Sequence, residues 1–168
     1  MDVVRVKASA EGNKQEIESM IRTLVVVATL LFGAGAVVAQ QDVAVQQQNL
    51  MKSMAKAQYG VISKTVKGET PFDQAAINAA FSQLEQDLGK VSTTFATNPK
   101  EDVANATFGS SQKIWQNKAD FDAKVPPVVK AVADVKGKVT DAASLKVAFD
   151  SIEAKCNGCH ETYRVRLK

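Results

Sequence analysis

The chain has 168 residues, 23% of them charged and only 6% aromatic, with a formal net charge of +3. That length suits one domain with a hydrophobic core, and lysines interleaved with aspartates rather than massed in a basic tract argue against a nucleic-acid surface. Only 9 Gly and 4 Pro among abundant Ala, Val, Lys, Gln and Asp favour helix, and no series of alternating strands with turn signals supports a β-sandwich or a βαβ fold.

In chain order, a leader comes first. From Met20 the sequence reads MIRTLVVVATLLFGAGAVVAQQD: Arg22 supplies a positive start, Leu24 to Phe32 an apolar stretch, and Val37-Val38-Ala39 a small-residue cleavage signal. An apolar core of about nine residues is too short for a membrane anchor, which takes roughly 20. A signal peptide over residues 20–39, cut after Ala39, is therefore expected, with residues 1–19 an upstream extension from a misplaced start. The mature domain would be residues 40–168, exported to the periplasm of a Gram-negative bacterium and without a membrane span.

Four helices follow from the apolar period. The first runs from about Asp42 to Lys67, with Leu50, Met51, Met54, Val61, Ile62 and Val66 near one face, and stops at Gly68. ETPFD opens a second, carrying Phe72, Ile77, Phe81, Leu84, Leu88, Val91 and Phe95, whose spacing from Ile77 onward alternates four and three. TNPKEDVANATFGSS, Thr97 to Ser111, is polar and punctuated, and reads as the long connection. The third helix, about Gln112 to Lys136, uses Ile114, Phe121, Val125, Val128, Val132 and Val135; Pro126 and Pro127 should kink or break it. The last, Asp141 to about Arg166, has the seam Leu145, Phe149, Ile152, Cys156, Cys159 and Tyr163. Short first and third connections around a longer middle one predict an all-α, antiparallel four-helix bundle with both thiols facing its interior.

Both cysteines and the only histidine lie in CNGCH, Cys156 to His160. C-x-x-C-H is the attachment spacing of a c-type haem. Two thiols one helical turn apart can reach two vinyl groups on one porphyrin edge, while the adjoining imidazole reaches the iron beneath the ring. A structural zinc site needs four ligands and two Cys with one His fall short; a thioredoxin-like pair needs a βαβ context, which is absent. Haem c, one per chain and covalently bound, is the expected cofactor.

An exported four-helix chain with C-x-x-C-H in its final helix and Tyr163-Arg164 after it (CNGCHETYR) resembles the cytochrome c′ family, the class II cytochromes c; in class I cytochromes c the attachment signature lies near the N-terminus instead. VKGETPFDQAAI at the first turn and KIW opening the third helix carry the resemblance across residues 40–168. It implies Cys156 and Cys159 as haem thioethers and His160 as proximal iron ligand. QNLMKSM resembles the low-spin, cytochrome c-556-type branch, whose LMK methionine binds iron, and so implies Met51 as sixth ligand, with Met54 a second candidate on the same face. Relatives often carry an arginine near a haem propionate where this chain has Gln48. Arg164 is a further candidate propionate contact and Trp115 a candidate neighbour of the haem edge. The resemblance thus implies an electron carrier rather than an enzyme, served by periplasmic redox proteins, and leaves a homodimer open; lysines such as Lys52, Lys155 and Lys168 read most simply as a solvated surface, with steering of acidic partners the alternative where they stand near a haem edge. The alternative is a five-coordinate cytochrome c′ that binds nitric oxide or carbon monoxide. A peroxidase would want a distal histidine, and the chain has only one His.

Overall fold

The first helix, α1, is helical from residue 43 to Val66 but changes pitch on the way: residues 43–55 wind as α-helix, Lys56–Ile62 as π-helix and Ser63–Val66 as α-helix again. The computed structural model describes residues 43–99 and 101–167, so the expected extension (1–19) and signal peptide (20–39) lie outside the described residues. α1 stops at Gly68, whose φ of 73° closes the helix: the Gly68 N–H donates to the Thr65 carbonyl at 3.1 Å and the Glu69 N–H to that of Lys64 at 2.9 Å.

Asp73 then starts α2 (Gln74–Leu88) by accepting hydrogen bonds from the Ala75 and Ala76 N–H groups at 2.8 and 3.1 Å. The sequence predicts one continuous helix to Phe95; instead α2 ends at Leu88, Gly89 and Lys90 turn, and a single turn, α3 (Val91–Thr94), follows. Val91 and Phe95 stay buried beyond the turn, so the apolar period continues where the helix does not. Glycine, about 1 kcal/mol poorer than alanine inside a helix, sits at the break.

The third predicted helix is three pieces: α4 (Lys113–Gln116), α5 (Lys118–Ala123) and α6 (Val125–Val135). Asn117, with φ −137° and ψ 60°, makes an unexpected break, and the expected one falls at Lys124. Pro126 and Pro127 occupy the first turn of α6, where a missing N–H removes no helical bond.

α7 (Ala142–Tyr163) opens on a reciprocal cap, the Ser144 N–H donating to the Asp141 carboxylate at 2.7 Å and the Asp141 N–H to the Ser144 hydroxyl at 3.2 Å. It ends at Tyr163, three residues before the predicted Arg166. Residues Arg164–Arg166 leave it as a short strand, β2, antiparallel to β1 (Phe108–Ser110) with Phe108 opposite Arg166 and Ser110 opposite Arg164. The Ser111 N–H donates to the Tyr163 carbonyl and the Leu167 N–H to that of Thr107, at 2.9 and 3.0 Å, so the ladder takes backbone groups that a longer helix would have used. A Cβ at Gly109 would meet the Asp102 carboxylate, which would have to swing away.

α1 packs on α2, α2 on α6, α6 on α7 and α7 back on α1, closing an antiparallel four-helix bundle. Its centre is dry: Ile77, Phe81, Val132 and Leu145 have no exposed surface. Among the described residues no helix is long and apolar enough to cross a membrane.

Candidate functional site

The seam of α7 changes character along its length. Leu145 is buried in the core, Ile152 is buried where the cavity begins, and Cys156, Cys159 and His160, one and two turns further on, are only half-buried. They face a cavity of about 520 Å³ whose opposite contributions come from α1, through Gln48, Met51, Lys52, Met54 and Gln58, and whose remaining wall is largely apolar, including Leu84, Leu88, Phe95, Ile114 and Val128. Pro99 and Val103 of the long connection and Phe108 of β1 line it as well.

Burial sets the protonation of the α7 groups. It pushes the Cys156 thiol up to about 11, with the neighbouring Cys159 and Glu153 adding to the effect, and raises Cys159 as well. Burial, and then the Arg164 guanidinium, hold His160 below its ordinary value. At neutral pH the site therefore presents two thiols and a neutral imidazole, the form of histidine whose free ring nitrogen binds metals. Both cysteines are free. Among the described residues no three His, Cys, Asp or Glu side chains converge to hold a bare metal ion; these donors are strung along one helix.

Six of the residues picked from the sequence come together here: Cys156, Cys159, His160, Met51, Gln48 and Arg164 all line the cavity, as does Met54. Gln48 has a cation beside it after all, since its side-chain oxygen accepts from Lys52 Nζ at 2.9 Å. Arg164 lies in β2 rather than on α7, exposed, with its guanidinium 4.7 Å from the centre of the Phe108 ring. Trp115 does not line the cavity. Its indole N–H donates to the Phe95 carbonyl at 3.0 Å, which ties α4 to the end of α3. Tyr163, on the cavity wall, donates its hydroxyl to the Asp120 carboxylate and stands edge-on to Phe121 with ring centres 5.2 Å apart. That hydrogen bond is the main reason its phenol is pushed up to about 12.

Two buried glutamines were not picked from the sequence. Gln47 donates to the Thr97 carbonyl at 2.9 Å and accepts from the Ser110 hydroxyl at 3.2 Å, fastening the long connection to α1. Gln58, 4% exposed, accepts at Oε1 from the Cys156 thiol at 3.7 Å, while its Nε2 has no partner. The signal was available: counting from Met51, steps of three and four lead to Met54 and Gln58, so a polar residue on the apolar face marked the spot.

Comparison with known proteins agrees with this architecture. Residues 42–164 match the model of the family described as Cytochrome C'. The chain is 60% identical over 149 residues to a cytochrome c-555 of Bradyrhizobium diazoefficiens, covering 89% of this chain and 100% of that protein. It is 37% identical to a cytochrome c-556 of Rhodopseudomonas palustris, covering 86% and 97%. Among solved structures, the cytochrome c′ of R. palustris superposes with a TM-score of 0.66 at 29% identity over 76% of this chain and 98% of that one. Oxidized R. palustris cytochrome c556 does so with 0.65 at 33% over 76% and 99%.

Proposed function

Since the chain belongs to the cytochrome c′ family and its cofactor is haem c, we propose that Cys156 and Cys159 hold that haem as thioethers. In this reading His160 and Met51 would hold its iron, and the chain carries single electrons in the periplasm. The observation that carries the proposal is that one cavity of about 520 Å³ is lined at once by Cys156, Cys159 and His160 from α7 and by Met51 from α1. Its volume falls within the roughly 300–1,000 Å³ typical of cofactor clefts. The donor set suits a porphyrin: two thiols one turn apart for a vinyl edge and an imidazole for the metal. A buried amide nitrogen with no partner in the protein fits a wall completed by a guest.

The haem, when bound, supplies a one-electron Fe(II)/Fe(III) couple. The chain does the rest. His160, neutral because burial disfavours its imidazolium, offers a nitrogen lone pair to the metal. Met51 offers a thioether, soft and uncharged, which favours the ferrous state and raises the reduction potential. Leu84, Leu88, Phe95 and Val128 exclude water from the cavity wall, and Lys52 and Arg164 place positive charge at residues lining it, where acidic carboxylates of the cofactor or of a redox partner would be attracted. Export rests on the leader pattern of residues 20–39, and a mature N-terminus at Gln40 by mass is its check.

The absorption spectrum of the purified protein tests the ligation. A low-spin ferric spectrum with a methionine-to-iron charge-transfer band and slow carbon monoxide binding is expected, and Met51→Ala should turn it high-spin with ready binding. A wild-type protein that is already high-spin and binds carbon monoxide freely would instead be the five-coordinate, gas-binding kind. If Met54→Ala and not Met51→Ala changes the spectrum, the sixth ligand is Met54, which stands on the same wall.

A further inference from the structure

The π-helical segment Lys56–Ile62 carries one buried side chain with unmet hydrogen-bonding capacity, Gln58. The wider turn is anchored at this residue: its backbone carbonyl accepts the Ser63 N–H, five residues on. π-turns within α-helices concentrate at functional sites. Its side-chain oxygen takes the Cys156 S–H at 3.7 Å, across 98 residues of sequence, and its amide nitrogen has no hydrogen-bond partner. A buried donor without a partner is costly, so a buried glutamine whose N–H has no acceptor calls for a reason that the protein alone does not supply.

We infer that Gln58 is the positioning residue for the Cys156 sulfur and bonds it in both of its chemical states, as thiol and as haem thioether. The inference rests on the thioether role proposed for Cys156. A thiol is a donor, and the Gln58 oxygen accepts from it. A thioether has no S–H left and can only accept. The primary amide is nearly symmetric in shape, so a half-turn about its last torsion exchanges oxygen and nitrogen and brings an N–H to the alkylated sulfur. Few side chains offer a donor and an acceptor at interchangeable positions; methionine and leucine offer no donor, and glutamate no N–H. The same contact would hold Cys156 in the rotamer that faces the cavity, and a donor bonded to the sulfur withdraws electron density from the ring edge it is attached to.

A double-mutant cycle on the haem-bearing protein tests this. Gln58→Met preserves the side chain's length and removes both polar atoms. It should raise the unfolding equilibrium constant in guanidinium about threefold where Cys156 is present, the loss of one modest hydrogen bond, and leave it unchanged in a Cys156→Ala background, where haem is held by Cys159 alone. Equal changes in the two backgrounds would overturn the inference. Should Cys156→Ala fail to mature, the wild-type ferrous protein under carbon monoxide serves: the Gln58 side-chain amide protons should exchange slowly and show nuclear Overhauser contacts to the Cys156 β-protons, and rapid exchange without those contacts would overturn it. A chain whose mass shows no haem would refute the thioether reading instead, which keeps the two failures apart.

Discussion

The two halves of α7 follow one helical period and end in different surroundings. Leu145, with no exposed surface, sits in a close-packed core with Val132 of α6 and Phe81 of α2, and Ile152 marks the change, buried yet already on the cavity wall. Cys156, Cys159 and His160 continue the same seam but border a cavity, with Met51, Met54 and Gln58 of α1 on its wall. Helix geometry is common to both halves, so the difference lies in what faces them. At the packed end the bundle completes itself with hydrophobic side chains drawn from several helices. At the other end half-buried thiols, a neutral imidazole and an unpartnered amide mark a wall shaped for something the polypeptide does not contain. The first end is stability, and the second is chemistry resting on it.

Substitutions at the two ends should therefore read out in different measurements. The largest effect is expected from Cys156→Ser with Cys159→Ser: the exported chain should have the mass of the bare polypeptide and lack the Soret band, and covalent pigment in that variant would sink the attachment proposal. Next, Leu145→Ala at the packed end should cost roughly 3 kcal/mol by guanidinium titration, because a fully buried leucine leaves a cavity behind. It should leave the haem bands of the folded protein where they are; a shifted spectrum would mean that the two ends are coupled. Asp141→Ala removes the reciprocal cap of α7 and should cost about 1 kcal/mol, with the same spectral silence.

The smallest effect is a pH dependence. Burial by itself would raise the Asp87 carboxyl, but hydrogen bonds from Ser53, Gln83 and Lys90 outweigh it and hold the group below its ordinary value of 3.8. A carboxyl depressed in the folded state contributes stability that is fully present above its unfolded value and is lost as pH falls through the folded one. Stability of the wild type should thus decline below about pH 4 more steeply than that of Asp87→Asn, since only the former has this proton to take up. Parallel acid limbs would show that Asp87 is not the group responsible. Its bond to Ser53, at 2.6 Å, joins α2 to α1, so the same variant probes how firmly the helix bearing Met51 is held.

Much of the bundle could be read from neighbouring residues. The seam of α7, the stop at Gly68 and the starts beside Asp73 and Asp141 appear where the sequence puts them. The grouping of two thiols and an imidazole within five residues, and the two methionines on α1, were equally plain. The breaks were not. Val91 and Phe95 remain buried on the far side of Gly89, so periodicity reported one helix where there are two. Trp115 looked like a cavity residue because of the triplet it belongs to, whereas its indole N–H is directed at a carbonyl of the preceding segment. Gln58 was visible as a misfit on an apolar face, but its meaning depends on a sulfur that local reading does not bring near it.

Helix seams, caps and the cysteine spacing depend on groups within about four positions of one another, and short-range sterics and hydrogen bonds are written directly into the order of residues. Pairings across the bundle are not. Phe108 beneath the Arg164 guanidinium, the three-residue ladder that draws Arg164–Arg166 out of the last helix, and Gln58 against Cys156 join residues tens of positions apart. Such contacts exist only once the helices have chosen their neighbours, because the burial that favours them belongs to the whole packed arrangement and to no segment of it.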